Sequence, residues 1–295
     1  MKSTAEIINA FRHAMHGAGL TPPERIEPDG ALHRFHVEGD RSGSANGWYL
    51  LHLDGRPAGG FGSWKSGTRA TWTAEGERMD DGERERVARL IEAARAKAKA
   101  ERRAEHEARA VEARREWSRT VAPDPAHPYL LAKGVKPHNL RQLGAWLIVP
   151  LFDAYGLLWN VQRILPDGTK RFRPGRAGGL FSPIGDLTDP ARLLICEGWA
   201  TGATLHEETG HAVLCAMNAG NLLPVAQAAR TAWPGAGLVI CADNDRHTAG
   251  NPGVTKATEA AKATGAKLIV PEFPHGAPGT DFNDLAALRR KGRAA

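Results

Sequence analysis

Apolar positions recur at helical spacing near the start of the chain: Ile7, Ile8, Phe11 and Met15 share one face of a helix over residues 4 to 18, closed by Gly17 and Gly19. The rhythm then shortens. In "LHRFHVEGDRSGSANGWYLLHLDGRPAGGFGSWKSGTRATW", apolar and polar residues alternate between Gly-rich turns such as "NG" and "DG", which predicts a small antiparallel sheet. From Asp80 to about Arg119 the chain is rich in Ala, Arg, Glu and Lys, without proline and without glycine after Gly82. This predicts one long helix with a thin apolar stripe and Glu to Arg pairs along it, a solvated connector. The prolines of "VAPDPAHPYLLAKGV" end it. "AWLIVPLFDAYGLLWNVQRILPDGTKRFRPG" then alternates again around "DAYG" and "PDG" turns, a meander of strands.

The last third has a third rhythm. "RLLICEGWATGATLHEETG", "HAVLCAMNAGNLLPVAQAARTAW", "AGLVICADND", "GVTKATEAAKATG" and "AKLIVPEF" repeat strand, loop and helix, and the strands are short unbroken apolar runs. Such runs suit a parallel sheet covered on both faces, an α/β arrangement whose ligand site lies beyond the carboxyl ends of the strands. Three acids fall at such ends: Glu197 after "LLIC", and Asp243 and Asp245 after "VICA". Gathered carboxylates repel unless a divalent cation joins them, and acidic oxygens suit Mg2+ or Mn2+. Each acid alone could instead cap a helix or a turn. Further on, "GTDFNDLAAL" adds Asp281 and Asp284, candidates for the metal and for a helix cap alike.

Charge narrows the partner. The 295 residues carry a net charge of +6 with a pI near 9.4, which favours an anionic ligand such as nucleic acid or nucleotide. Arg163, Lys170, Arg171, Arg173 and Arg176 form a dense basic group at the end of the meander, read as a phosphate-binding surface. In the N-terminal sheet the aromatics Trp48, Tyr49, Phe61, Trp64 and Trp72 are read mainly as core, and Lys65 and Arg69, near turns, as phosphate ligands. Lys256, after the second acidic loop, is a further candidate. Cys196, Cys215 and Cys241 lie far apart beside apolar residues, so they are read as buried thiols in a reducing cytoplasm. With no CxxC spacing, and with His13, His16, His33 and His36 lacking a second ligand pair, no zinc is expected. No apolar run is long enough to span a membrane.

The ordered set "LLICEGWATGATLHEETG", "NAGNL", "VICADNDRHTAGN", "GVTKATEAA" and "GTDFNDL" closely resembles the TOPRIM domain of DNA primases from plasmids and phages. "VPLFDAYGLLWNVQRILPDGTKRFRPGRAGGLFSPIG" is similar, more weakly, to the strand-rich part that precedes TOPRIM in bacterial-type primases. The resemblance implies a metal-binding acidic site at Glu197, Asp243 and Asp245, with a later acidic motif falling on Asp281 and Asp284. It also implies nucleotide or template contacts from the basic residues. Bacterial-type primases carry an N-terminal zinc ribbon, whereas this sequence has no cysteine before Cys196; the Trp-rich sheet would then read template in its place.

Four segments are expected: 1–78, a small β-rich domain; 79–120, the helical connector; 121–187, the strand-rich part of a primase core; and 188–295, a TOPRIM domain with a mostly parallel sheet flanked by helices. The function implied is template-directed synthesis of short RNA primers on single-stranded DNA from ribonucleoside triphosphates, in the cytoplasm and away from membranes. Without a GxxxxGK[ST] loop the chain would rely on a separate helicase or replication protein. A TOPRIM nuclease, and a non-catalytic DNA-binding accessory of replication or conjugation, stay open beside it. A topoisomerase does not fit, since no tyrosine domain surrounds Tyr49, Tyr129 or Tyr155.

Overall fold

The structure, a computed structural model, describes residues 2–74 and 81–294. It divides into two compact units, Met1–Arg102 and Arg103–Ala295. The boundary expected between residues 78 and 79 lies outside the described residues.

In the first unit, α1 (Thr4–Gly17) starts at Ser3, whose hydroxyl accepts from the Glu6 amide while the Glu6 carboxylate accepts from the Ser3 amide, and it buries Ile7, Phe11 and Met15. Strands β1 (Asp29–Phe35), β2 (Gly47–His52), β3 (Ala58–Ser63) and β4 (Arg69–Thr73) form one antiparallel sheet in sequence order. Phe11 packs edge-on against Phe61 and Trp72, so the aromatics of one sheet face are core. On the other face Trp48 stacks on Trp64 at 5.2 Å. Helix α2 (Asp81–Ser118) seats Ile91 against Trp48, Leu50 and Ala58.

In the second unit the remainder of α2 is followed by α3 (Pro128–Lys133), with proline in its first turn and Gly134 closing it in the left-handed conformation at φ 62°. Strands β5 (Arg141–Leu143), β6 (Trp146–Phe152), β7 (Leu158–Ile164) and β8 (Lys170–Phe172) make an antiparallel meander. The chain then lays down β9 (Ser182–Ile184), β10 (Arg192–Cys196), α4 (Trp199–Thr209), β11 (Ala212–Cys215), α5 (Leu222–Ala232), β12 (Gly237–Cys241), α6 (Pro252–Thr264), β13 (Lys267–Ile269) and α7 (Phe282–Ala294). The sheet order is β13-β12-β10-β11-β9, parallel except for the β9 edge. Successive residues of its strands serve two cores. Leu194, Cys196, Val213, Cys215, Val239 and Cys241 face one, and Leu193, Ile195, Leu214, Leu238 and Ile240 the other. That explains the unbroken apolar runs: the middle strands β10, β11 and β12 are covered on both faces. All three thiols are free and buried. No helix among the described residues is long and apolar enough to cross a membrane.

Candidate active site

Strands β10 and β12 are parallel neighbours whose last paired residues are Cys196 and Cys241. Glu197 is one residue past that rung and Asp243 two past its partner, so Glu197, Asp243 and Asp245 leave the sheet at one edge. Glu197 does not cap α4: the cap is Gly198, and no side chain bonds to the helix start. Asp281 joins the group from the start of α7, since its charge acts on both Glu197 and Asp243.

Asp243 is the most perturbed member. Burial first, then the charges of Glu197, Asp281 and Asp245, push its carboxyl up to about 8, against the pull of Lys170. Its Oδ1 is buried and has no hydrogen-bond partner. Burial and the charge of Asp245 likewise raise Glu197, opposed by a hydrogen bond from the Ala219 backbone and by Lys170. No three of these carboxylates have oxygens within 4.8 Å of one another among the described residues.

The loops are held from behind. Asp245 Oδ2 accepts from the Gly253 amide at 3.0 Å, and a methyl group on Gly253 would lie 2.4 Å from the Asp243 carbonyl oxygen, so only glycine admits that approach. Asn244 donates its amide to Thr280 O and accepts from Asn251 Nδ2, tying the loop to residues before α7 and to the cap of α6. Asp281 Oδ1 accepts from the Asp284 amide and Oδ2 from Thr201 Oγ1. Asp284 Oδ2 accepts from the Thr280 amide. Asp281 is thus both a helix cap and part of the acidic group, whereas the bond shown for Asp284 serves the helix start.

The basic residues separate. Lys170, exposed as a residue, has a crowded ammonium whose pKa is lowered by desolvation and by Lys133, against the opposite pull of Asp281, Asp243 and Glu197. It faces the acids. Arg163 and Arg173, of the same basic group, are engaged by carboxylates of α2. Arg163 donates twice to Glu116, at 2.7 and 2.6 Å, and Arg173 donates to both Glu112 and Glu116. Arg171 is exposed with no ion pair among the described residues, and Arg176 lies over Trp159 at 5.0 Å. Lys256 pairs with Glu259 on the surface of α6. In the other unit Lys65 pairs with Asp40, and Arg69 lies exposed on β4. His33, expected to have no companion ligands, bonds Asp29 at 2.8 Å with Glu27 beside them.

Thr201, Lys133 and Gly253 also belong to the site, Thr201 through Asp281, Lys133 through its charge on Lys170 and Gly253 through Asp245. Gly253 and Lys256 share the string "GVTKA", but nothing in it marks the glycine as the residue that touches the acidic loop.

An α/β sheet with Glu and a D-x-D pair at adjacent strand ends defines a class, and residues 192–294 match the model of the Toprim domain: this part of the chain is a Toprim domain. More particularly, the chain is 40% identical over 272 residues to a DNA primase TraC of Escherichia coli, covering 88% of this chain and 26% of the relative. A second DNA primase TraC of Escherichia coli is 36% identical over 294 residues, covering 94% and 20%. The chain thus spans about a quarter or less of the length of these curated relatives. Among solved structures, the primase fragment of the bacteriophage T7 primase-helicase protein aligns with a TM-score of 0.42 at 15% identity, over 56% of this chain and 70% of that one.

Proposed function

We propose that the chain makes short RNA primers on single-stranded DNA, joining ribonucleoside triphosphates by metal-dependent nucleotidyl transfer at Glu197, Asp243 and Asp245. The observation that carries this is the buried, unpartnered Asp243 Oδ1 among like charges. A buried carboxylate oxygen without a donor costs free energy unless a cation meets it, so these residues fit a divalent ion. The hard oxygen donors suit Mg2+ or Mn2+, and Mg2+ in particular is held by few carboxylates and keeps waters and phosphate oxygens as its other ligands. When bound, the ion would supply positive charge to the triphosphate and to the departing pyrophosphate.

The chain's own residues do the rest. Glu197, half-buried with a raised pKa, accepts the proton of the primer 3'-hydroxyl. Lys170 offsets phosphate charge beside the acids, and Arg171 and Arg176 extend that surface along the template. Asp281 holds the acidic loops in place through Thr201 and α7 and adds its charge to the site. Asp284 serves as an outer member of the same motif. Identity to DNA primase TraC over most of this chain supports the same reaction class. The work is placed in the cytoplasm, with a separate helicase or replication protein opening the duplex.

The test is labelled ribonucleotide incorporation on single-stranded DNA with Mg2+. Wild type should yield labelled oligomers, and Asp243→Asn should lower the yield by about two to three orders of magnitude while leaving template binding intact. Template degradation without labelled oligomers would overturn the proposal in favour of a nuclease. Equal yields from both proteins would remove the site from the chemistry.

A further inference from the structure

The N-terminal unit carries a cleft that the acidic site does not explain. Its volume is about 280 Å3, and it is lined by Leu32 and Trp64 together with Arg34, Arg95, Lys99, Arg102 and Asn46. Four cations surround an apolar floor, and no carboxylate lines it among the described residues. A second cleft of about 400 Å3 shares Arg95 and Lys99 and adds Arg69, with Glu92 as its one acid. Arg95, Lys99 and Arg102, spaced four and three residues apart, share one face of α2, so the helix itself gathers their charge.

The groups are placed for more than a point anion. The Arg95 guanidinium carbon lies 4.2 Å from the centre of the Trp64 ring, and Trp64 stacks on Trp48. That contact keeps a planar cation beside the aromatic pair. Arg34 donates from Nε and Nη2 to the Ala45 carbonyl, which fixes its guanidinium at the rim and leaves Nη1 outward of that pair. Lys65, the sequence-level candidate nearby, is taken up by Asp40, which also accepts from Asn46, so that acid is already neutralised.

We infer that this cleft binds single-stranded DNA: base faces lie against the Arg95 plane and the apolar floor, and phosphates meet Lys99, Arg102, Arg34 and Arg69. Stacking on a planar cation or an aromatic needs unpaired bases, which a duplex hides. The inference rests on single-stranded DNA being the template of the proposed reaction. Binding can be measured without metal or nucleotide, so the two ideas fail separately.

The experiment is fluorescence anisotropy of a labelled oligothymidylate with the full chain in EDTA, over a range of salt. Arg95→Gln, Lys99→Gln and Arg102→Gln combined should weaken binding by about tenfold or more and reduce the salt slope by about 2. Asp243→Asn should bind as wild type does. Arg95→Lys alone keeps the charge and loses the plane, so it should weaken binding with little change in slope. An unchanged affinity in a triple variant with wild-type circular dichroism would overturn the inference. So would equal competition by duplex DNA of the same length.

Discussion

Asp243 shows how one residue can be costly to the fold and required by the site. Its carboxyl titrates near 8 in the folded chain against 3.8 ordinarily, because burial and three neighbouring acids oppose ionisation. The sign follows from proton binding. Between those two values the folded state holds the proton that the unfolded chain has lost, so stability is full below pH 3.8 and is lost as pH rises towards 8. Asp243→Asn, always neutral, escapes that loss. In EDTA at pH 7 it should be more stable than wild type by about 2–4 kcal/mol, with the gap closing near pH 4, as thermal melts across pH would show. A variant no more stable than wild type at pH 7 would mean that the carboxyl is not under this strain. The position was legible in "LVICADND", where an apolar run ends in acids two apart. The strain was not, because Asp281 and Glu197 reach it from distant parts of the sequence.

At the scale of elements, periodicity located what local patterning controls. Helix α1, the N-terminal sheet, the long helix and the parallel strands of the Toprim domain are all legible as rhythms, since each buries residues at its own spacing. What stayed hidden were pairings between elements. The charges of α2 look solvated in sequence, yet Glu116 is buried and joins Arg163 and Arg173 across 47 and 57 residues. Burial pushes its carboxyl up, but hydrogen bonds from the two arginines outweigh this and its pKa is lowered. Glu116→Gln should cost about 1–3 kcal/mol at pH 7, below the cost of breaking a fully buried pair because Arg163 remains 37% exposed. A lowered pKa stabilises the fold above the ordinary value of 4.5 and ceases to do so as pH falls through the folded value. The difference between wild type and variant in melting temperature should therefore shrink under acid; a constant difference would show that the carboxylate charge plays no part.

Across the whole molecule, charge is sorted in a way its net value conceals. The +6 total combines a Toprim edge where acids gather with an N-terminal cleft where cations gather. Each of these belongs to its own unit. Nucleotide chemistry at the first and strand binding at the second would draw on opposite charges, which makes them separable by mutation. The acidic edge is the more decisive of the two, because nothing among the described residues satisfies Asp243 Oδ1. Titration of the full chain with Mn2+, followed by the loss of the free-ion paramagnetic resonance signal, addresses it directly. Wild type should take up the ion at this site, and Asp243→Asn and Glu197→Gln should each lose that uptake; undiminished binding in both variants, or none in wild type, would contradict a cation at these carboxylates.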